Sequence, residues 1–191
     1  MKKFMMSFAT VAVTLLLASC GNKSTNTTAA EGETEAEAAP AEVAYETFTV
    51  EKYNASFELP QGMRRTDDPV MDNGGCWTMV PADDDTDFPI YAAVDFGVYE
   101  TMFGDYDDER IQREFDEDIP EEAVKTLDLE KKEYTYYVPS EDEDGLKEYH
   151  RVVFKGNQSL NVTVSYTGRW ADKLGGDICD HILQSAKFNE E

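Results

Sequence analysis

The sequence predicts an α+β domain with a mostly antiparallel sheet of six to seven strands and a C-terminal helix packed on that sheet. Three observations predict this class. Apolar and polar side chains alternate in several short runs, which is typical of half-buried strands. Turn-forming residues separate these runs, and apolar stripes of helical period are few. Apolar residues make up 41% of the 191-residue chain, which is enough for one domain with a buried core.

The N-terminal segment has the features of a secretory signal. Two lysines precede an apolar stretch at 4–17, which is shorter than the roughly 20 residues that span a bilayer. The quartet Leu17-Ala18-Ser19-Cys20 resembles the lipobox of bacterial lipoproteins. The resemblance implies a signal peptide at 1–19 that is cleaved before a lipidated Cys20. An ordinary secretory signal with a chance cysteine is the alternative.

A lipidated cysteine implies that acyl chains attach the mature protein to a membrane. Each buried methylene contributes about 0.8 kcal/mol, so two or more chains hold a protein stably. Gly21 follows the cysteine, where the commonest sorting rule has an Asp in lipoproteins retained in the inner membrane. The resemblance therefore implies a lipoprotein of the bacterial outer membrane that faces the periplasm. Display on the cell surface is the alternative.

The stretch 20–44 is expected to be a disordered acidic linker after the lipidated cysteine. It has no aromatic residue and is rich in Thr, Ala and Glu, so it offers too little apolar surface to fold. A helix over 31–42 is the alternative, but it would have no apolar stripe with which to dock. The whole chain has 40 acidic residues against 17 Lys and Arg, a net charge of −23. This charge repels phosphates and excludes a nucleic-acid partner.

From residue 45 onward the pattern has the period of two that strands show, and 45–191 is predicted to be a single globular domain. The clearest strand alternates from Ile90 to Val98, and a second alternates from Leu160 to Tyr166. Turn sequences join the later runs into an antiparallel meander over 134–166. Weaker runs lie at 48–52, 56–59, 77–80, 134–138 and 149–154.

Two helices and one helical turn are predicted. The first helix spans 107–118, where acidic residues suit the N-terminus and Pro120 follows the end. A short helical turn is predicted over 121–127. The C-terminal helix has apolar residues at intervals of four from Trp170 to Ile182. Two glycines interrupt this stripe, so the helix either begins after them or uses them for a close approach to the sheet.

The segment 53–63 reads Tyr-Asn-Ala-Ser-Phe-Glu-Leu-Pro-Gln-Gly-Met. It resembles the opening Phe-Ser-Phe-x-x-Pro-x-Gly-Trp of PsbP-like domains, with Met63 in place of the usual Trp. The closing order of strand 160–166, helix 170–185 and a short strand is similar to that of the same family. The resemblance implies an α/β/α sandwich around a central antiparallel sheet. It also implies a non-catalytic extrinsic subunit or binding module, and it supplies no active-site motif.

Two histidines are the candidates for catalysis. His150 falls in a predicted strand and His181 in the last helix, and neither has a second His or Cys at metal spacing on the same face. The sequence has no Gly-x-Ser-x-Gly and no His-Glu-x-x-His motif. A Ser-His-Asp site assembled from distant residues stays open. An envelope hydrolase is therefore the least favoured hypothesis, and an enzyme is not expected.

Calcium is the one cofactor that the sequence suggests. Asp83, Asp85 and Asp87 have the opening spacing of a calcium loop. Phe88 stands where such a loop needs Gly, and Val94 stands where it needs Glu. Solvated acidic loops are the simpler interpretation. A calcium-binding protein is therefore the second hypothesis, and no other cofactor is expected.

Tyrosines of the meander are candidate binding residues. Tyr136, Tyr137 and Tyr149 lie where alternation puts some side chains on an exposed sheet face. An exposed tyrosine offers a rigid area with a polar tip, which suits a sugar, a peptide or a protein partner. Packing within the sheet is the alternative.

Two cysteines remain once Cys20 carries lipid. Cys76 and Cys179 would then lie in an oxidising compartment, where they can pair as a disulfide. Burial of both as free thiols is the alternative.

The leading hypothesis is a membrane-anchored envelope lipoprotein that acts as a non-catalytic binding or accessory module. The strong features of the sequence all concern placement, namely a lipid anchor, a spacer and an acidic head. The expected partners are the membrane, through the lipid, and an envelope protein or glycan.

Overall fold

Ten strands and three α-helices make up the part of the chain that the structure describes. The structure is a computed structural model, and it describes residues 43–67, 69–79, 92–140, 142 and 145–190. The strands are β1 (Tyr45–Val50), β2 (Ala55–Pro60), β3 (Met63–Arg65), β4 (Gly74–Met79), β5 (Ala92–Glu100), β6 (Val124–Asp128), β7 (Glu133–Val138), β8 (Lys147–Lys155), β9 (Gln158–Tyr166) and β10 (Lys187–Phe188).

These strands form two antiparallel sheets. The larger sheet has seven strands in the order β3-β4-β5-β9-β8-β7-β6. The smaller sheet has three strands in the order β1-β2-β10, so the last strand of the chain pairs with one of the first. Every pairing is antiparallel. The predicted antiparallel α+β class is therefore confirmed.

The helices are α1 (Asp108–Glu117), α2 (Ala171–Leu174) and α3 (Asp177–Ser185). The side chain of Asp107 accepts a hydrogen bond from the Arg110 backbone N–H at 2.8 Å, which caps the start of α1. The predicted C-terminal helix is divided into α2 and α3, because Gly176 has φ of +55° and cannot continue an α-helix. Among the described residues, no helix has the length and apolar character needed to cross a bilayer.

Side chains alternate along the strands and give the larger sheet an apolar core on each face. The large core lies between this sheet, the smaller sheet and the helices α2 and α3. The small core lies on the opposite face, where Ile111 of α1 packs with Tyr134, Val152 and Phe154. Helix α1 therefore covers one face, and α3 with the smaller sheet covers the other. The large core includes Phe57, Trp77, Val94, Phe96, Val164 and Ile182.

The predicted helical turn over 121–127 is wrong. Residues from Val124 onward form β6, the outermost strand of the larger sheet, in which Val124 lies opposite Tyr137 and Leu127 opposite Tyr134. Val124 and Thr126 are β-branched and favour a strand. The strand also satisfies backbone groups along β7 that a helix would leave unpaired.

Several predictions fall on parts of the chain that the structure does not describe. The signal peptide at 1–19, the lipid attachment at Cys20 and the linker up to residue 42 lie outside the described residues. Ile90, at the start of the predicted strand, also lies outside them.

Candidate functional site

A groove opens beside α3 on the face of the larger sheet that carries the large core. Helix α3 packs on β2, β9 and β8, and the outer strands β7 and β6 extend beyond it. The groove has a volume of about 620 Å³. Its floor comes from β6, β7 and β8 and its wall from α3, with Val124, Thr126, Thr135, Tyr137, Asp180 and Gln184 among its lining residues.

Two rows of side chains cross the strands of the groove floor. Val124, Tyr137 and Tyr149 are neighbours on β6, β7 and β8 and form an apolar row. Thr126 and Thr135 lie opposite each other on β6 and β7 and begin a polar row beside it. Val124 is 67% exposed, so the outer end of the apolar row faces solvent. The floor thus offers a flat apolar strip with hydroxyl groups along its edge.

Three tyrosines form a stack that runs from the large core into the groove, here called the tyrosine stack. The rings of Tyr137 and Tyr149 have centroids 4.5 Å apart and planes 16° apart. The rings of Tyr149 and Tyr166 have centroids 5.9 Å apart and planes 7° apart. Tyr166 is buried, and this burial raises the pKa of its hydroxyl, as does a hydrogen bond with Tyr149. The buried ring of Tyr166 thus supports the rings of Tyr149 and Tyr137 in the groove.

Tyr136, the third tyrosine predicted as a binding residue, belongs to the opposite face. It borders the groove, but its ring packs with the small core, near Tyr134. Its ring stacks on that of His150 at 4.1 Å between centroids and 7° between planes. Consecutive residues of a strand point to opposite faces, so Tyr137 lies on the groove floor while Tyr136 only borders the groove.

His150 lies beside a hydroxyl group and a tyrosine ring. Its Nδ1 is 2.9 Å from the Thr163 hydroxyl on the neighbouring strand β9. Burial lowers the pKa of His150, and the nearby carboxylate of Glu148 opposes this effect. Burial also raises the pKa of the Tyr136 hydroxyl. Burial thus favours the uncharged form of both rings.

Arg151 closes the inner end of the groove floor. Its guanidinium donates to the carboxylate of Glu133 at 2.5 Å and to the carbonyl oxygens of Leu183 at 2.6 Å and Ala186 at 2.8 Å. The last turn of α3 has no basic residue of its own, so Arg151 supplies the cation for that end. Its donors are used by the protein, and it is a structural residue of the site.

A second cavity, of about 530 Å³, lies on the other side of α3. The Nε2 of His181 lies within hydrogen-bond distance of the Glu58 carboxylate there, at 2.7 Å, and the Tyr45 ring stacks on His181 at 3.9 Å between centroids. The Ser185 hydroxyl, also on this wall, donates to the Ile182 carbonyl oxygen at 2.8 Å. Ser185 also accepts from the Glu58 backbone N–H at 2.9 Å. Its hydroxyl hydrogen is thus bound to the helix backbone.

Cys76 and Cys179 are both free in the structure, so the possible disulfide between them is not formed there. Cys76 is next to Trp77 on β4, and Trp77 faces the large core, so Cys76 points to the opposite face of the sheet. Cys179 lies on α3, inside the large core. The sheet itself separates the two thiols. Burial raises the pKa of Cys76 to about 11 and that of Cys179 to about 12.

The predicted calcium ligands Asp83, Asp85 and Asp87 lie outside the described residues. Within the described ranges, no group of three or more His, Cys, Asp or Glu side chains is arranged to hold a metal ion.

Sequence reasoning missed the α3 wall of the groove, which includes Asp180, Leu183 and Gln184. These residues meet the floor through contacts between distant segments, for which one sequence carries no signal. The signal for β6 was present, because Val124, Thr126 and Asp128 alternate with residues of the opposite face.

No protein-family model matches the sequence, and no relative is found among curated proteins. Several solved structures are similar in fold. The Ran-binding protein Mog1p of Saccharomyces cerevisiae has 9% identity and a TM-score of 0.48, with 77% of this chain and 96% of that chain covered. A protein from Bacteroides thetaiotaomicron has 10% identity and a TM-score of 0.46, with 72% of this chain and 46% of that chain covered.

A third solved structure is the PsbP protein (CyanoP) of Synechocystis sp. PCC 6803. It has 12% identity and a TM-score of 0.47, with 78% of this chain and 95% of that chain covered. It carries the name of the family that the segment 53–63 resembles. These likenesses concern the fold alone.

Proposed function

We propose that this chain is a lipid-anchored, non-catalytic binding module of the bacterial envelope, and that the groove beside α3 is its ligand site. The observation that carries the proposal is the row of Val124, Tyr137 and Tyr149, which is exposed at its Val124 end, beside the hydroxyls of Thr126 and Thr135. A saccharide ring has an apolar face and a rim of hydroxyl groups, which match these two rows. An envelope glycan is therefore the favoured ligand, and a protein segment is the alternative.

The charges around the groove favour an uncharged or cationic ligand. The guanidinium of Arg151 is paired with Glu133, and Lys131 is paired with Asp128 at 3.1 Å. Asp180 adds a carboxylate on the α3 wall. With a net charge of −23 on the whole chain, an anionic ligand would meet repulsion at long range.

The polar groups near the groove support binding without turnover. Nucleophilic catalysis needs a hydroxyl or thiol within hydrogen-bond reach of a base that a third group orients. The Ser185 hydroxyl donates to a helix carbonyl and leaves His181 paired with Glu58. His150 also borders the groove, but its ring stacks on that of Tyr136, and its Nδ1 is engaged with the Thr163 hydroxyl on the other face of the sheet.

Binding to peptidoglycan fragments and outer-membrane oligosaccharides tests this proposal. Titration calorimetry and chemical-shift mapping on the Cys20→Ala chain should show a glycan that perturbs the groove residues. Loss of one stacking ring in Tyr137→Ala should weaken that binding about tenfold or more. Tyr99→Ala is the matched control, because Tyr99 is an exposed tyrosine that does not line the groove.

Three results would contradict the proposal. The first is equal affinity for wild type and Tyr137→Ala. The second is a set of shifts that cluster away from the groove. The third is conversion of the bound glycan into products, seen by mass spectrometry and abolished by His150→Gln, which would indicate an envelope hydrolase.

The anchor is tested separately by cell fractionation. Cys20→Ala should move the protein from the membrane fraction to the soluble periplasmic fraction, because the acyl chains provide its attachment. Protease added to whole cells would distinguish a periplasmic from a surface location. Unchanged membrane association of Cys20→Ala would contradict the lipid anchor.

A further inference from the structure

Two large apolar side chains stand at the tip of the loop that joins β5 to α1. Met102 is 91% exposed and Phe103 is 85% exposed. Neither belongs to the large core or to the small core of the described residues. Burial of a side chain of this size gains about 1.5–3 kcal/mol. A partner that buries Met102 and Phe103 would therefore gain binding free energy from both side chains.

The loop that presents this pair is held at several points. Arg110 of α1 donates to the Gly104 carbonyl oxygen and to the Thr101 hydroxyl, each at 3.3 Å. The Thr101 backbone N–H donates to the carbonyl oxygen of Asn157, in the turn between β8 and β9, at 2.9 Å. The Phe103 backbone N–H donates to the Thr101 hydroxyl at 3.2 Å. A loop fixed in this way loses little conformational entropy when a partner binds.

Acidic residues flank the apolar tip along the chain. The stretch 100–109 has five acidic residues and no Lys or Arg. Arg110, the next residue, is engaged with Glu114 at 3.2 Å and with the loop itself. Asp108 pairs with Lys132 at 3.0 Å, and the remaining acids give the apolar tip an anionic rim. The five acids are Glu100, Asp105, Asp107, Asp108 and Glu109.

We infer that Met102 and Phe103 anchor a docking site for a second protein, one that offers an apolar pocket rimmed by Lys and Arg. Protein interfaces combine an apolar centre with a polar rim, and a basic rim complements this acidic one. An anionic lipid surface would be repelled by the same carboxylates. A second copy of this chain would bring like charges together, because its net charge is also −23.

This docking site is independent of the groove beside α3. The loop follows Glu100 at the end of β5, and Glu100 pairs with Gln158 at the start of β9.

Leu146 precedes β8 at the other end of the sheet, where Lys147 pairs with Tyr166. Leu146 is also apolar and exposed, so it serves as a matched control position.

Photo-crosslinking in the bacterium that makes the protein identifies the partner. Benzoylphenylalanine is placed at position 103 or at position 146 of the full chain, and the cross-linked products are identified by mass spectrometry. One protein should be captured from position 103 and not from position 146. The captured protein is then purified and its dissociation constant is measured for each variant.

Phe103→Ser should weaken binding of this purified protein about tenfold or more, because truncation of a central apolar anchor has an effect of that order. Met102→Ser should also weaken it, and Leu146→Ser should leave it within about twofold. A rise in salt from about 0.05 M to about 0.3 M should slow association, because the rims carry opposite charges. An unchanged melting temperature of Phe103→Ser would show that the exposed side chain is not needed for folding.

Four results would overturn the inference. The first is equal cross-linking from positions 103 and 146. The second is an unchanged dissociation constant in Phe103→Ser, or one that does not respond to salt. The third is sedimentation of the Cys20→Ala chain with zwitterionic or anionic vesicles that Phe103→Ser abolishes, which would identify a lipid surface. The fourth is a dimer in analytical ultracentrifugation that Phe103→Ser dissociates, which would identify a second copy.

Discussion

Arg151 donates a hydrogen bond from the middle of β8 to the carbonyl oxygen of Leu183 in the last turn of α3, at 2.6 Å. The same guanidinium pairs with Glu133 on β7. The side chains of Arg151 and Glu133 are 14% and 18% exposed, so the interaction is shielded from solvent. One side chain thus joins two strands of the larger sheet to the helix that forms the groove wall.

Arg151→Met is expected to lower the free energy of unfolding by about 3 kcal/mol, because it leaves the Glu133 carboxylate without its partner and the end of α3 without a donor. The double variant Arg151→Met/Glu133→Met should recover part of this loss. Urea unfolding measures both, with Lys155→Met on the same strand as an exposed control. Equal stability of wild type and Arg151→Met would contradict the structural role.

Asp67 links stability to acidic pH. Its carboxylate accepts from the Arg65 guanidinium at 2.6 Å and 2.8 Å, and this bonding holds the pKa of Asp67 well below its ordinary range. The folded state then binds this proton less readily than the unfolded state. The contribution of Asp67 is therefore present above its unfolded pKa of about 3.9 and is lost as the pH falls below that value.

Asp67→Asn should accordingly be less stable than wild type at neutral pH, and the difference should close as the pH falls from about 4 to about 2. Denaturant unfolding across this range measures the effect. Asp72→Asn is the control, because Asp72 is an exposed partner of Lys52 and such pairs contribute little. A stability difference that is the same at both ends of the range would show that the pair does not titrate as described.

His150 should make stability depend on pH nearer neutrality. Burial lowers the pKa of His150, so the unfolded state binds the proton more readily than the folded state. The contribution of His150 to the free energy of unfolding is complete above the pKa of about 6.5 that a histidine has in the unfolded state. It falls as the pH drops below that value. In His150→Gln, the loss of unfolding free energy between about pH 7.5 and about pH 5.5 should be smaller than in wild type. An equal pH dependence of His150→Gln and wild type would contradict the assignment.

The two thiols should behave as unpaired groups of low reactivity, with Cys179 buried and Cys76 half-buried. Cys179 is 2% exposed, and burial raises the pKa of both cysteines, so little reactive thiolate is present at pH 8. Alkylation of the native protein should be slow at Cys76 and Cys179 and fast in denaturant. Reductant should leave the intact mass unchanged. A mass gain of about two units on reduction would restore the disulfide interpretation.

The strands with the strongest alternation could be predicted from the sequence. The face of β5 that carries Val94, Phe96 and Val98 and the face of β9 that carries Val162 and Val164 both pack as the period of two indicates. These strands lie in the centre of the sheet, where burial enforces a regular pattern. The edge strand β6 was missed, although Val124, Thr126 and Asp128 alternate with residues of the opposite face.

The site could be predicted only in part. Tyr137 and Tyr149 lie on the groove floor as the exposed-face interpretation requires, but Tyr136 is adjacent to Tyr137 in the chain and must face the other way. The wall residues Asp180 and Gln184 come from a helix that follows β9. Their approach to β6 and β7 depends on how α3 crosses the sheet, which the spacing of apolar residues does not specify.

The pairing of β10 with β2 has a consequence for the order of folding. The Ser56 hydroxyl bonds to Asn189, 133 residues further along the chain, beside the strand pairs that join Lys187 and Phe188 to β2. Closing so long a loop has a large entropic cost that local contacts do not repay, so this pairing forms late. Until the last residues have been synthesised and have docked, the edge of β2 that faces β10 has no strand partner. A nascent or truncated chain that ends before residue 187 would leave one edge of β2 open to pairing with another chain.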